Sequence, residues 1–526
     1  MNGSAVTNSS PIVETSSGKV RGTGADGVVV FKGVPYGAST EGEHRFRPPV
    51  APVAWAGVRD TIVYGNGCHQ ISVEWSAAHG GRNVIAEMIP PDPTMEMQGE
   101  DCLVLNVWTP SIDERAKRPV MVWFHGGYFT AGSGSSRLYD GTRLCRRGDV
   151  VVVTVNHRLN VFGFLDVSEM GGADFAQSGN AGMLDLVAAL KWVRENIARF
   201  GGDPDNVTIF GESGGGAKVC TMLAMPAAKG LFHKSIIQSG PYMRANLAKD
   251  SQAITRALFD ELGLAQRDVG ALQKIDPKAL LKASVVAEAK AGVHHPLGGG
   301  MGSFAPMIDG ISLLHHPFDP GAPSESADVP LMIGTTKDEL TLFLATMPGF
   351  GSMSEAEASA VLEAMTGAPA HDALAFYAAL QPRETPTYRL VNLLTDRLAR
   401  RPSTIVAERK AMQARGPVYS YVLAWETPVL DGMMRSTHAL DIPLVFDNAA
   451  FAKGLVGNGP DVQTMANVMT DTWLAFARYG APNAPRIPQW PAYSIGRRAT
   501  MIFDTESKVV DDYAGETRAY WASVKS

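Results

Sequence analysis

The sequence predicts an α/β fold, built on a large, mostly parallel sheet with helices on both faces. Three observations carry that expectation. First, four near-continuous apolar runs read as strands buried on both sides: "PVMVWFHGG" (Pro119–Gly127), "VVVVTVNHR" (Val150–Arg158), "NVTIFGES" (Asn206–Ser213) and "VPLMIGTTKDE" (Val329–Glu339). Second, helical periods lie between them. Third, one run ends in a serine set among glycines, at the point where a strand gives way to a helix.

The helical signal is clearest in "AGMLDLVAALKWVRENIARFGGDP", where Met183, Leu186, Leu190, Val193 and Ile197 recur at three- and four-residue steps. Asn180 is placed to cap its start and Gly201–Gly202 to end it. Strands alternating with helices imply a parallel sheet, and sites in such sheets form at the carboxyl ends of the strands. From about 244 to 402 the strand signals weaken and Ala-rich helical patterns dominate. This interval reads as a helical insertion over the sheet edge. No repeat or low-complexity linker divides the chain, so residues 1–526 read as one domain.

Composition removes several function classes. Of the 526 residues, 45% are apolar and 19% charged, which is ordinary globular material with ample core. The net charge of −6 gives no basic surplus for a phosphate backbone, so nucleic acid is not an expected partner. No uncharged apolar run approaches the length of a membrane span. The N-terminal "MNGSAVTNSSPIVETSSG" has neither a basic start nor an apolar core, so no secretory signal is visible and a cytoplasmic location is expected. The four cysteines, Cys68, Cys102, Cys145 and Cys220, show no metal-ligand spacing.

The glycine-flanked serine carries the chemistry. "GESGG" (Gly211–Gly215) fits G-x-S-x-G between the β-rich "NVTIF" and the helical "AKVCTMLAM". A hydroxyl on a sharp strand-to-helix turn projects from the sheet, and small neighbours let the backbones come close. The emerging helix aims its first N–H groups at a developing anion. A nucleophile of this kind needs a base, a group that orients the base, and an oxyanion hole. "FHGGYF" (Phe124–Phe129) offers backbone N–H groups after a strand, to join that of Gly214. "GTTKDEL" (Gly334–Leu340) offers a carboxylate at a strand end, with Asp338 and Glu339 equally placed by local reading. "STHALDIPLVF" (Ser436–Phe446) offers His438 on a loop. The chain order serine, acid, histidine is that of the α/β-hydrolase architecture.

With these motifs in place, the sequence resembles the type-B carboxylesterases, the group of bacterial para-nitrobenzyl esterases, animal carboxylesterases and cholinesterases. "FKGVPYG", "RFRPP", "GEDCLVLNVWTP", "GNAGMLDLVAALKWVRENIARFGGDPDNVTIFGES", "IIQSG", "FAPMIDG", "GTTKDE", "THALDIPLVF" and "MTDTWLAFARYGAPN" follow in family order over nearly the whole chain. The resemblance implies Ser213 as nucleophile, Glu339 as acid and His438 as base. It implies Gly127, Tyr128 and Gly214 as oxyanion donors, with Gly126 supporting the turn. It implies that Cys68 and Cys102 correspond to a pair many relatives join as a disulfide, against which stands a reduced pair. Two departures are visible. Tyr128 stands where a glycine is frequent, and "GESGGGA" replaces the commoner "GESAGA", a change expected to loosen the turn slightly.

The implied reaction is hydrolysis of a small-molecule carboxylic ester through an acyl-enzyme, needing no cofactor or metal. Because His438 acts as base when neutral, activity is expected to fall as pH drops through about 6.5, shifted by local charge. Glu212 beside the nucleophile and Ser239 in "IIQSG" are supporting candidates. Phe129, Tyr128, Trp75, His294 and His295 are candidates for the substrate walls. An amidase or carbamate hydrolase would use the same triad. A non-catalytic binding relative would have lost triad residues, which this chain keeps. No membrane insertion is expected, and the assembly is expected to be a monomer or homodimer.

Overall fold

In the computed structural model the described residues are 10–25, 27–71, 78–79, 82–90, 92–293, 303–366 and 371–524. Trp75, His294 and His295 lie outside them, so these three wall candidates have no described position.

Eleven strands form one sheet. In chain order they are β1 (Thr23–Ala25), β2 (Val28–Pro35), β3 (Val104–Thr109), β4 (Arg118–Phe124), β5 (Val151–Val155), β6 (Gly202–Glu212), β7 (Lys234–Gln238), β8 (Leu331–Thr336), β9 (Val418–Leu423), β10 (Ala499–Phe503) and β11 (Lys508–Asp511). Their spatial order is β11-β10-β9-β8-β7-β6-β4-β5-β3-β2-β1. The centre, from β5 across to β10, is parallel, and antiparallel pairs close both ends. The four apolar runs all become central strands. Each is buried on both faces, which is why the runs read as continuous rather than alternating.

Successive side chains on β4 enter opposite cores. Val120, Val122 and Phe124 join Met183, Leu186, Leu190 and Val193 on one face. Met121 and Trp123 join Phe210, Met469 and Trp473 on the other. The first face is covered by α1 (Ala181–Asn196), α2 (Gly214–Ala224), α3 (Ala248–Glu261) and α4 (Pro277–Ala291), and the second largely by α5 (Asp461–Tyr479).

Helix α1 begins after Asn180 and passes through a short 3-10 turn to Gly201, whose φ of 82° ends it in the left-handed region. Asn180 occupies the cap position without capping. Its side chain instead brackets Met307, accepting from the Met307 N–H and donating to the Met307 carbonyl and to Asp309. The interval 244–402 is not one uninterrupted insertion, because β8 lies inside it at the middle of the sheet. The helical stretch before β8 packs on the first face (Ile254, Leu258, Leu280), and the stretch after it on the second (Leu342, Leu390, Leu394).

Cys68 and Cys102 are both buried and adjacent, but they are free thiols rather than a disulfide. Cys68 Sγ accepts a hydrogen bond from Leu159 N at 3.3 Å, and a hydrogen bond links the two thiols. That bond and burial push the Cys102 thiol well above its ordinary value.

Candidate active site

Four strand ends meet at the carboxyl edge of the sheet: those of β4, β6, β7 and β8. The register puts Phe124 opposite Gly211, Glu212 opposite Gln238, and Gln238 opposite Gly334. Everything that follows hangs from this row.

At the end of β6, Ser213 has φ 57° and ψ −122°, a backbone conformation that L-residues rarely hold. It is pinned by its N–H to Gln238 O at 2.8 Å and by Ala217 N–H to Ser213 O at 3.1 Å. The turn is possible because no side chain intrudes. A Cβ at Gly240 would stand 2.0 Å from Ser213 O, one at Gly215 2.0 Å from Phe124 O, and one at Gly211 2.6 Å from Phe124 O. Helix α2 starts directly after the serine, and its first N–H groups have no partner inside the helix.

The loop after β4 faces that helix start. Gly127 has φ 84° and Tyr128 φ 54°. A Cβ at Gly126 would lie 3.6 Å from Ser213 Cβ, and one at Gly214 would lie 2.1 Å from Tyr128 N. The residues expected to donate to an oxyanion, Gly127, Tyr128 and Gly214, are therefore packed main chain against main chain. This corrects the expectation that Gly214 merely loosens the turn: with Tyr128 where it is, a glycine is required at 214. The Tyr128 ring turns towards Phe129 (centroids 4.7 Å apart) and Tyr242 (6.3 Å), joining an aromatic cluster.

The two carboxylates after β8 divide the work. Glu339 Oε2 meets His438 Nδ1 at 2.5 Å while its Oε1 accepts from Thr336 N–H at 2.8 Å. Asp338 points elsewhere and holds the histidine loop by its backbone: its N–H donates to Ser436 O at 2.9 Å and its Oδ2 accepts from Ser436 N–H at 3.3 Å. The local tie between the two is thus resolved by geometry in favour of Glu339 as the imidazole's partner.

The imidazole sits in a carboxylate-rich pocket. His438 Nε2 lies 3.2 Å from Glu212 Oε1, although no well-aligned hydrogen bond forms there. Burial alone would lower the imidazole's pKa, but Glu212 and Glu339 outweigh it and raise it to about 9. Burial raises the Glu212 carboxyl to about 8. Behind them, burial raises Asp441 to about 6, and Asp441 accepts from Gln238 Nε2 at 2.9 Å and Tyr421 OH at 3.2 Å. The Phe343 ring, half-buried, lies 5.1 Å from the imidazole. Ser239 reaches the row's next strand end with a φ of 52° and a buried hydroxyl that has no partner among the described residues.

Sequence reasoning did not single out Phe343, Tyr242, Asp441, Gln238 or Lys218. Asp441, three residues after His438, was the most legible of these. The others are brought in by packing between distant segments. Among the described residues no cluster of metal-ligating side chains occurs, and no helix is long and apolar enough to cross a membrane.

A strained serine at a strand-to-helix turn, a buried imidazole–carboxylate pair and a glycine loop facing the helix start match the geometry expected for serine acyl-transfer chemistry, and comparison with known proteins gives the same reading. The family model described as "Carboxylesterase family" matches residues 9–521. The para-nitrobenzyl esterase of Bacillus subtilis is 38% identical over 515 residues, covering 96% of this chain and 97% of that protein. The fumonisin B1 esterase of Sphingopyxis macrogoltabida is 31% identical, covering 94% and 86%. The crystal structure of the Geobacillus stearothermophilus carboxylesterase EST55 superposes with a TM-score of 0.82 at 39% identity, covering 97% of this chain and 99% of that one. The chain belongs to the type-B carboxylesterase family, with its α/β-hydrolase fold, and is a carboxylic-ester hydrolase.

Proposed function

We propose that Ser213 is the nucleophile, His438 the general base and then acid, and Glu339 the residue that orients the imidazole. The observation that carries this reading is the Glu339–His438 pair, 2.5 Å apart, with the other ring nitrogen 3.2 Å from Glu212, the residue before a serine held at φ 57°. His438 Nε2 takes the Ser213 proton as the hydroxyl oxygen attacks the ester carbonyl. Glu339 keeps Nδ1 protonated and stabilises the imidazolium. The N–H groups of Gly127, Tyr128 and Gly214 receive the oxyanion, each worth about 2.7–4 kcal/mol. His438 then protonates the departing alcohol. Water repeats the sequence on the acyl-enzyme, releasing the acid and the free serine.

The substrate is a small ester whose bulky part meets aromatic walls. Tyr128 packs with Phe129 and Tyr242 at the loop, and the half-buried Phe343 ring lies beside the imidazole; these apolar surroundings favour an apolar acyl or alcohol group. The net charge of −6 disfavours polyanionic ligands. Hydrolysis of short- and medium-chain para-nitrophenyl esters at pH 8 by wild type and by Ser213→Ala tests the assignment. Rapid release that vanishes in the variant is expected. Equal rates in both would remove Ser213 from the mechanism.

A further inference from the structure

Helix α2 carries a lysine that esterase chemistry does not call for. Lys218 is wholly buried, on the helix that begins at the nucleophile, and no carboxylate among the described residues balances it. An unpaired ammonium is costly to bury, and burial pushes this amine well below its ordinary value. Its Nζ donates to one main-chain oxygen, that of His125, at 2.8 Å. His125 is the residue immediately before Gly126, where β4 gives way to the oxyanion loop.

The placement is specific. Lys218 follows Gly214 by four residues, so the two share one face of α2. A Cβ at Gly214, on that face, would meet the Tyr128 backbone, and one at the neighbouring Gly215 would meet Phe124 O and the His125 carbonyl carbon. The glycines allow the helix and the loop to touch, but they supply no bond between them. The Lys218 side chain supplies one, a full helical turn further along. It reaches past the Phe129 ring, 5.9 Å from its centroid, to the last carbonyl before the loop. The His125 ring is occupied locally, its Nδ1 2.8 Å from Gly126 O, and it stacks on His157 at 5.1 Å. His125 Nε2 has no partner among the described residues, so the ring does not tie the loop to α2.

From this we infer that Lys218 is a positioning residue for the oxyanion hole. By holding His125 O it fixes the separation between the Gly214 donor on α2 and the Gly127 and Tyr128 donors on the loop. The inference rests on the serine-esterase reading above. It requires that removing the amine act on the stage where the oxyanion forms, and little on ground-state binding.

Lys218→Met and Lys218→Gln form the test pair. Both side chains are one bond shorter than lysine and nearly equal in shape, but only glutamine keeps an N–H donor. Turnover is normalised to sites titrated with a fluorophosphonate. For para-nitrophenyl butyrate, Lys218→Met is expected to lose about tenfold or more in kcat with KM little changed, and Lys218→Gln to recover part of that loss. Affinity for a trifluoromethyl ketone, whose hemiketal carries an oxyanion, should weaken in step with kcat/KM. Unchanged kcat and ketone affinity in Lys218→Met would overturn the inference. Equal losses in both variants, or failure of both to yield titratable sites, would assign the lysine to folding and overturn it too. Failure of the esterase reading itself is distinguishable, since wild type would then resist the fluorophosphonate.

Discussion

At the scale of single residues, the site is governed by crowding of two kinds. The first is crowding of charge. His438 touches one carboxylate with each ring nitrogen, and its imidazolium is favoured up to about pH 9. A base whose pKa is raised is protonated, and idle, over a wider range below it. The acid limb of kcat/KM should therefore lie above the ordinary imidazole value of about 6.5. Glu212→Gln removes one negative neighbour, so the limb should move to lower pH. A pH–rate profile of both proteins checks this, and a wild-type limb at or below the ordinary value would contradict the charge assignment. The second is crowding of backbone. Gly214→Ala would drive a methyl group to 2.1 Å from Tyr128 N and displace two donors together. A loss of at least about 10²–10³ in kcat is expected, the cost of a single misplaced oxyanion donor, measured against a thermal melt that separates activity from unfolding. The identity of Ser213, His438 and the Asp338–Glu339 pair was legible in short motifs. Local reading leaves the two carboxylates tied, because adjacent residues after a strand end point apart by an amount no short motif encodes; only the family resemblance names Glu339, the one that faces the imidazole.

Elements convert these local constraints into a rigid frame. Arg158, in the loop after β5, lies wholly buried and grips Asp185 of α1 with its Nε at 2.9 Å and its Nη2 at 2.6 Å, while the Arg158 N–H donates to the same carboxylate at 3.0 Å. Removing one partner of such a pair leaves a buried charge uncompensated. Asp185→Asn should thus lower stability by about 3–5 kcal/mol in urea unfolding, with a loss below about 1 kcal/mol showing that the pair is solvated. Four of the eleven strands were legible because their apolar runs are continuous, and α1 because its period is clean. The interval 244–402 reads as a single insertion although it contains the strand run Val329–Glu339, because the helical patterns on either side of the six-residue β8 dominate its composition. Lys218 was illegible for a related reason: its acceptor is 93 residues away, and its meaning arises only when α2 lies against the end of β4.

Across the whole molecule, the sheet separates two cores that share no covering helices, and the site stands on the edge between them. Cysteines are part of that interior rather than a reinforcement of it, since all four are buried and free. Alkylation in denaturant without reductant should therefore add four labels by intact mass, and two labels would reveal the Cys68–Cys102 bridge. The family and fold were legible over nearly the full chain because motifs recur at every strand end. The rings around the site were not, since Tyr242 meets Phe129 and Phe343 meets His438 only through tertiary packing.

The glycines around Ser213 carry a consequence for the gene. Every single-base change in a glycine codon that yields another amino acid adds a Cβ. At Gly127, Gly211, Gly214, Gly215 and Gly240 that atom would fall within 2.6 Å of main-chain atoms. Each missense step away from these codons therefore has to move main chain beneath the serine, so a change at one of them, such as Gly214, has to be matched by a change in the backbone it faces, such as that of Tyr128.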